Sequence, residues 1–372
     1  MFYPNVQKTS SPRRTAERLL ELRQLFVTEK VPAKKPDTLL LATWNIREFD
    51  AATYGERSLE CLYYIAEICA HFDLIAIQEV REDLRALERL REILGGPWTY
   101  IVSDVTDGKA GNRERMAFLF DGGRVRFNSM AGEVVLPPIE VKQGGKTVKR
   151  DPSEQLFRTP YLVGFRAGWT SLMLCTVHIA YGKAIKDDPV RVKEIDAIAK
   201  FLAARSKEKT NSYSNLVLLG DFNIFDRGDV TMEAITKAGF EVPPELQTVP
   251  QSNVGAEGRH YDQIAFLPER YRLETTGQAG VFDYYKVLYR PDDEAAYEPD
   301  MGKAYKVNSK GVERTAKQRT TYYRTWRTYQ MSDHLPMWIE LRTDFAESYL
   351  KELVKKASIA DAPPQPPTVP PQ

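Results

Sequence analysis

Two spacings of apolar residues alternate along this chain, and the switches between them mark out its elements. After Ser11-Pro12, apolar positions at Ala16, Leu19, Leu20, Leu22 and Leu25 recur at helical spacing and predict a leading amphipathic helix, followed by the linker Ala33-Lys34-Lys35-Pro36. From Thr38 onward, short apolar runs predict strands over residues 39–44, 74–77, 116–120, 134–136, 162–165, 172–177, 216–219, 261–267 and 337–341. Helical patterns fall between some of them: Leu59, Leu62, Ala66 and Cys69; Leu84, Leu87, Leu90 and Leu94, closed by Gly95-Gly96-Pro97; and Ile195, Ile198, Ala199 and Leu202. Residues 139–149, turning at Gly144-Gly145, predict a β-hairpin whose Lys142, Lys146 and Lys149 make it either a basic arm or a solvated one. Strands outnumber helices, which fits an α/β sandwich better than a doubly wound sheet.

This pattern divides the chain into a helix and linker (1–37), a catalytic-sized domain (38–344), a C-terminal helix (345–360) and a proline-rich tail (361–372) expected to be disordered. Residues 283–331 read as a Tyr-rich, irregular insertion, whose second half holds Arg314, Lys317, Arg319, Arg324 and Arg327 with no acid after Glu313. Composition changes the picture little. The 372 residues are 42% hydrophobic and 28% charged, and 52 basic against 51 acidic side chains leave a net charge of +1. That balance excludes a non-specific nucleic-acid coat protein and leaves room for a locally basic groove. Three cysteines without metal-ligand spacing give neither a disulfide framework nor a zinc site. No signal-peptide core and no apolar stretch near the ~20 residues of a membrane helix are evident, so the expectation is a soluble, cytoplasmic protein without a membrane partner.

The chemistry sits at strand ends. The run 39–44 ends in Asn45, the run 74–77 in Gln78-Glu79, and the run 216–219 in Gly220-Asp221-Phe222-Asn223, while Ser332-Asp333-His334 precedes the closing strand. Carboxylates and amides delivered to one rim of a sheet are oxygen donors of the kind a hard divalent cation takes, with water completing the shell. Each cluster alone is more often a turn or a solvated terminus.

Taken together, Trp44-Asn45-Ile46, Gln78-Glu79-Val80, Gly220-Asp221-Phe222-Asn223 and Ser332-Asp333-His334-Leu335-Pro336 resemble the endonuclease/exonuclease/phosphatase superfamily, in its order and across residues 38–342. The resemblance is nearest to deoxyribonuclease I, through Arg47, Arg81, Arg113-Glu114-Arg115, Arg158-Thr159-Pro160, Val177-His178 and Tyr261-Asp262-Gln263-Ile264. It departs from that enzyme at Asn112, where a groove-reading tyrosine is expected, in its lack of disulfide cysteines, and in the insertion.

The resemblance implies a four-layer sandwich of two mixed β-sheets flanked by helices, and Mg²⁺- or Mn²⁺-dependent cleavage of a phosphoester. It also implies pairing of His178 with Glu114 and of His334 with Asp262, each carboxylate holding its imidazole in one tautomer. One imidazole activates water and the other donates to the phosphate or the leaving oxygen; the assignment is open, with His334 the preferred base. Asn45, Glu79 and Asp333 are the expected cation ligands, and Asp221 and Asn223 position phosphate and nucleophile. Arg47, Arg81 and Arg158 are candidates for phosphate contacts, with structural ion pairs as the alternative for each. The expected function is a metal-dependent endonuclease with DNA as partner; the alternative is a superfamily phosphatase or phospholipase acting on inositol phosphates or sphingomyelin.

Overall fold

The apolar run after Thr38 extends past its polar end into a twelve-residue strand, β1 (Thr38–Phe49), fully buried along its first nine positions. It lies at the centre of a six-stranded sheet in this computed structural model, which describes residues 1, 3–49, 53–106, 112–143, 146–150, 155–208, 215–255, 258–267 and 273–360. The sheet also holds β2 (Leu74–Arg81), β3 (Trp98–Val102), β4 (Glu114–Asp121), β12 (Thr275–Val281) and β13 (Met337–Arg342), in the spatial order β12-β13-β1-β2-β4-β3. A second sheet holds β5 (Arg126–Glu133), β8 (Tyr161–Ala167), β9 (Thr170–His178), β10 (Leu216–Asp221) and β11 (Asp262–Leu267), in the order β11-β10-β9-β8-β5. The remaining strands, β6 (Ile139–Gln143) and β7 (Lys146–Arg150), pair only with each other. The turn between them and the proline-rich tail lie outside the described residues.

Each sheet is built around one parallel pair. β1 runs parallel to β2 through α2 (Leu59–His71), and β9 runs parallel to β10 through α4 (Pro189–Ser206). A parallel connection needs a crossover, and its helix covers the sheet's outer face, so the inner faces remain to pack on each other. The result is two mixed sheets face to face with helices outside, and the parallel strands direct their C-terminal ends to the same rim. Polar bonds cross the interface as well: Gln78 Nε2 donates to Thr176 Oγ1 at 2.8 Å. Helix starts follow the sequence, with Ser58 capping α2 and Asp188 capping α4 through side-chain oxygens that accept orphan N–H groups.

Two expectations are corrected. Residues 134–136 lie outside the strands, tied instead by the Val134 amide to the Pro160 carbonyl at 2.9 Å and by Leu136 to the Gln155 side chain, and the strand lies just before them as β5, an edge strand whose exposed, mostly polar residues carry no apolar signal. The insertion is ordered: α6 (Glu294–Lys306) and α7 (Ala316–Gln330) run through it, the latter opened by a Thr315–Gln318 capping box. Its core is aromatic, with Tyr289 stacked on Tyr297 at 4.4 Å and Tyr323 and Trp326 buried beside them. Arg14 of α1 (Pro12–Thr28) pins it down, bonding Glu60 of α2 at 2.5 Å and Asp300 of α6 at 2.9 Å. The remaining helices are α3 (Arg85–Leu94), α5 (Val230–Lys237) and α8 (Ala346–Ala360).

Helix α1 also closes on His71, the last residue of α2. Phe26 lies between the His71 ring (3.9 Å) and the Phe282 ring (4.0 Å), while His71 Nε2 lies 2.9 Å from the Pro32 carbonyl. Burial lowers the His71 pKa, the Pro32 carbonyl opposing it and Lys34 adding to it. A lowered imidazole pKa means that the unfolded chain binds more protons, so this stability is complete above about pH 6.5 and is lost as the pH falls below it. In urea denaturation, His71→Gln should therefore lose less stability between pH 7.5 and 5.5 than the native chain; an equal loss would contradict the coupling.

Candidate active site

The strand ends converge where the two sheets meet. Asp221, 1% exposed at the end of β10, is the hub. Its Oδ2 accepts Asn45 Nδ2 from β1 of the opposite sheet at 2.9 Å, and its Oδ1 accepts the Asn223 amide at 2.9 Å. His178 Nε2 lies 3.4 Å and His334 Nε2 3.7 Å from the same Oδ2. Two imidazoles from distant parts of the chain thus present their outer nitrogens to one carboxylate oxygen.

Backbone geometry makes this convergence possible. Gly220 has φ +136°, and a Cβ there would lie 2.1 Å from the Val177 carbonyl oxygen of β9. Only glycine lets β10 approach β9 that closely beside His178. Glu79 adopts φ +61° where the β2–β4 register shifts, and Asn223 adopts φ +54°. Left-handed backbone in non-glycine residues costs about 1 kcal/mol or more and is a known mark of functional sites.

Each imidazole is backed by a carboxylate. His334 Nδ1 bonds Asp262 Oδ2 at 2.8 Å, and Ser252 Oγ donates to the same oxygen at 2.6 Å. His178 Nδ1 sits 2.9 Å from Glu114 Oε2, off the line of an ideal hydrogen bond, so the contact is an ion pair. Arg158 Nε donates to that oxygen at 2.6 Å. Burial alone would raise the Glu114 carboxyl, but His178 and Arg158 outweigh it and bring it down to about 2. Burial and Arg158 oppose a proton on His178, yet Glu114 and Asp221 prevail and raise its pKa. Burial likewise opposes the His334 imidazolium, and Asp262 with Asp221 lifts its pKa well above the ordinary histidine value. Burial raises Asp262 against the pull of His334.

The loop carrying His334 is fastened from several sides. Ser332 Oγ donates to the Asn45 carbonyl at 2.6 Å and accepts the His334 amide at 3.0 Å. Trp44 Nε1 and the Tyr284 hydroxyl both donate to the His334 carbonyl, at 3.0 and 2.9 Å, and the Tyr285 hydroxyl donates to the Ser332 carbonyl at 2.9 Å. The start of the insertion therefore forms the floor beneath this loop. On the His178 side, Glu194 of α4 accepts the Ala180 and Phe157 amides, each at 2.8 Å. Fully buried Arg191 donates to the Tyr181, Lys183, Ile185 and Lys186 carbonyls. Sequence reasoning did not single out Tyr284, Tyr285, Ser252, Glu194 or Arg191. A charged residue on the buried stripe of a helix, as with Glu194 beside Ile195 and Ile198, was the available signal.

Oxygen donors are present for a cation. Asn45 Nδ2 donates to both Asp221 and Glu79 Oε1 (3.0 Å), which leaves Asn45 Oδ1 buried without a partner. A buried orphan carbonyl oxygen is costly unless something electropositive meets it, and Glu79 stands alongside. Among the described residues no group of three or more His, Cys, Asp or Glu side chains forms a metal cage. The donors that do meet, an amide oxygen and a carboxylate, are the oxygen type a magnesium-like ion takes, with water completing its shell. Of the expected ligands, Asn45 and Glu79 meet; Asp333 is half-exposed and pairs with Arg47 at 3.4 Å.

The arginines are drawn into the frame. Arg158 serves Glu114; Arg81 lies 3.7 Å from both Glu48 and Glu114; Arg47 donates to Thr328 and Tyr329 of α7.

Two facing mixed sheets with the polar cluster at their common rim decide the architecture. The chain has the deoxyribonuclease I-like fold. No family model matches the sequence, and no curated protein matches it either. Among solved structures it is similar to a functionally unknown conserved protein from Enterococcus faecalis V583, at TM-score 0.51 and 17% identity over 82% of this chain and 100% of that one. It is also similar to an endonuclease/exonuclease/phosphatase family protein from Bacteroides thetaiotaomicron (TM-score 0.48, 16% identity, 83% and 99% covered). A third match is humanized D. rerio TDP2 (TM-score 0.49, 13% identity, 82% and 99% covered). At these identities the likeness is one of fold. The deoxyribonuclease I-like fold explains why the site lies on the rim, where parallel strands of both sheets end together.

Because Gly220 sets the approach of β10 to β9, Gly220→Ala should cost about 1–3 kcal/mol by overpacking. A thermal melt checks this, and an unchanged melting temperature would show that the strands have room to spare.

Proposed function

We propose that the protein is a divalent-metal-dependent phosphodiesterase, most specifically an endonuclease that hydrolyses DNA phosphodiester bonds. The observation that carries the reading is the pair of carboxylate-backed imidazoles, His178 and His334, with outer nitrogens 3.4 and 3.7 Å from one Asp221 oxygen, beside Asn45 and Glu79. Hydrolysis of a phosphodiester needs a proton acceptor for water, a proton donor for the leaving oxygen and positive charge for the phosphoryl oxygens, and this set offers all three.

In this reading the water oxygen bonds to phosphorus as the bond from phosphorus to the leaving sugar oxygen breaks. His334 Nε2 takes the water's proton, and Asp262 stabilises the imidazolium through Nδ1. His178, protonated and held by Glu114, gives its proton from Nε2 to the leaving oxygen. Asp221 and Asn223 orient the phosphate and the attacking water between them. Asn45 Oδ1 and Glu79 would hold the cation, which when bound neutralises charge on the phosphoryl oxygens and eases proton loss from His334 by repulsion.

Supercoiled plasmid is the direct test. Nicking should require Mg²⁺ or Mn²⁺, stop with chelator, and fall about 10²–10⁴-fold in His178→Ala and in His334→Ala. Absent nicking, together with phosphate release from an inositol phosphate, would replace this reading with that of a phosphomonoesterase. Asp262→Asn should lower the nicking rate about 10²-fold or more while leaving the metal requirement unchanged, because it removes the group that orients His334. An unaffected rate would remove Asp262 from the mechanism.

A further inference from the structure

A ladder of aromatic rings and guanidinium groups leads away from the catalytic rim along α7. It begins at Arg47, which lies over the Tyr329 ring at 4.0 Å and pairs with Asp333 at 3.4 Å. Tyr329 meets Tyr54 at 4.6 Å between centroids, Tyr54 meets Tyr322 at 5.4 Å, and Arg314 lies over Tyr322 at 5.0 Å. Tyr322, Thr325 and Tyr329 fall at helical spacing on one face of α7, while Tyr323 and Trp326 fill the core from the other. All three tyrosines of the ladder are half-buried, so none is consumed by the core.

The charge on this helix is also unbalanced. Four other helices neutralise exposed cations with an i,i+4 partner: Arg13–Glu17, Asp196–Lys200, Glu233–Lys237 and Glu347–Lys351. Helix α7 contains Lys317, Arg319, Arg324 and Arg327 and no acid at all. Arg327 turns inward to the Tyr289 carbonyl and Arg319 lies over Tyr305, whereas Lys317 and Arg324 are exposed and make no ion pair among the described residues. A solvated helix gains nothing by leaving such charges unmatched. Unmatched cations on the solvent side of a helix, beside a flank of half-buried rings, are what a flexible polyanion with flat bases recognises: the cations meet phosphates and the rings stack on bases.

We infer that the Tyr54–Tyr322–Tyr329 face of α7 is a platform for single-stranded nucleic acid, receiving the strand that leaves the catalytic rim at Arg47. The inference rests on the phosphodiesterase reading of the site and adds its substrate form. Paired bases keep their faces inside the duplex stack, whereas unpaired bases can reach these rings one at a time. Fifteen residues of helix offer roughly 22 Å of track.

The test uses the full chain and a fluorescently labelled oligothymidine, with binding read by anisotropy in chelator so that the strand is not cut. The double variant Lys317→Glu/Arg324→Glu, altered only at exposed positions, should bind about tenfold more weakly, with the slope of log affinity against log salt reduced by about 0.7 per lost phosphate contact. Tyr322→Ala, its fold checked by thermal melting, should weaken binding about tenfold without changing the salt slope. With Mg²⁺, hydrolysis of bis(p-nitrophenyl) phosphate, too small to reach the platform, should change by less than roughly twofold in the charge variant. Oligothymidine binding indifferent to all these substitutions would overturn the platform even if the small diester is cleaved. Displacement of the strand by an equal charge of polyglutamate would overturn it too, marking a general polyanion surface. Failure to cleave any diester, with binding still sensitive to the variants, would instead defeat the catalytic reading and leave the platform.

Discussion

The hydrogen bond from Asn45 to Asp221 joins one sheet to the other at the rim, and much of the site can be understood from what it demands. Asp221 is almost wholly removed from water, where an isolated carboxylate would cost several kcal/mol. It is tolerable there because Asn45, the Asn223 amide and two imidazoles surround it. Those imidazoles in turn need their own carboxylates, Glu114 and Asp262, and Glu114 needs Arg158. The network is a chain of alternating charges in which each member offsets the burial of the next. Removing one member leaves a neighbour unpaired, which is why buried networks of this kind are either complete or unstable.

The same demand gives the peripheral elements a role. The loop from Ser332 to His334 pairs with Asn253 through one antiparallel bridge, in which the Val254 amide donates to the Asp333 carbonyl at 2.7 Å and the Leu335 amide to the Ser252 carbonyl at 2.6 Å. Trp44 from β1 and the Tyr284–Tyr285 pair from the insertion add further bonds. Phe282 stacks on Phe26 of α1, and Arg14 ties α1 to α2 and α6. The N-terminal helix and the insertion are thus buttresses for one wall of the site, connected to it through rings and carbonyls, not through the reacting groups.

Much of this could be read from the residues, because a buried strand that ends in a polar cluster is a pattern local to the sequence. The runs ending in Asn45, Glu79 and Asp221 are such patterns, and all three meet at the rim. What escaped is either unlike its expected composition or far apart in the chain. Helix α7 fills its core with Tyr323 and Trp326 and its surface with threonine and arginine, so no aliphatic period announces it. Strands β5 and β12 lie at sheet edges and carry polar or glycine residues where a central strand would be apolar. The pairing of Asp333 with Arg47, whose guanidinium also bonds Thr328 and Tyr329, depends on where α7 docks, and no local pattern encodes it. Long-range bonds such as Tyr284 to His334 are invisible until the fold brings fifty residues of separation to 2.9 Å.

On the proposed function, a divalent cation meets the orphan oxygen of Asn45 and the Glu79 carboxylate. Titration of the intact chain with Mn²⁺, followed by the electron paramagnetic resonance of the free ion, tests this without any substrate. The native chain should bind one Mn²⁺, with affinity weakened at least about tenfold in Glu79→Gln, whose neutral amide is a poorer ligand for a hard cation. Equal Mn²⁺ binding by the native chain and the Glu79→Gln variant would contradict it.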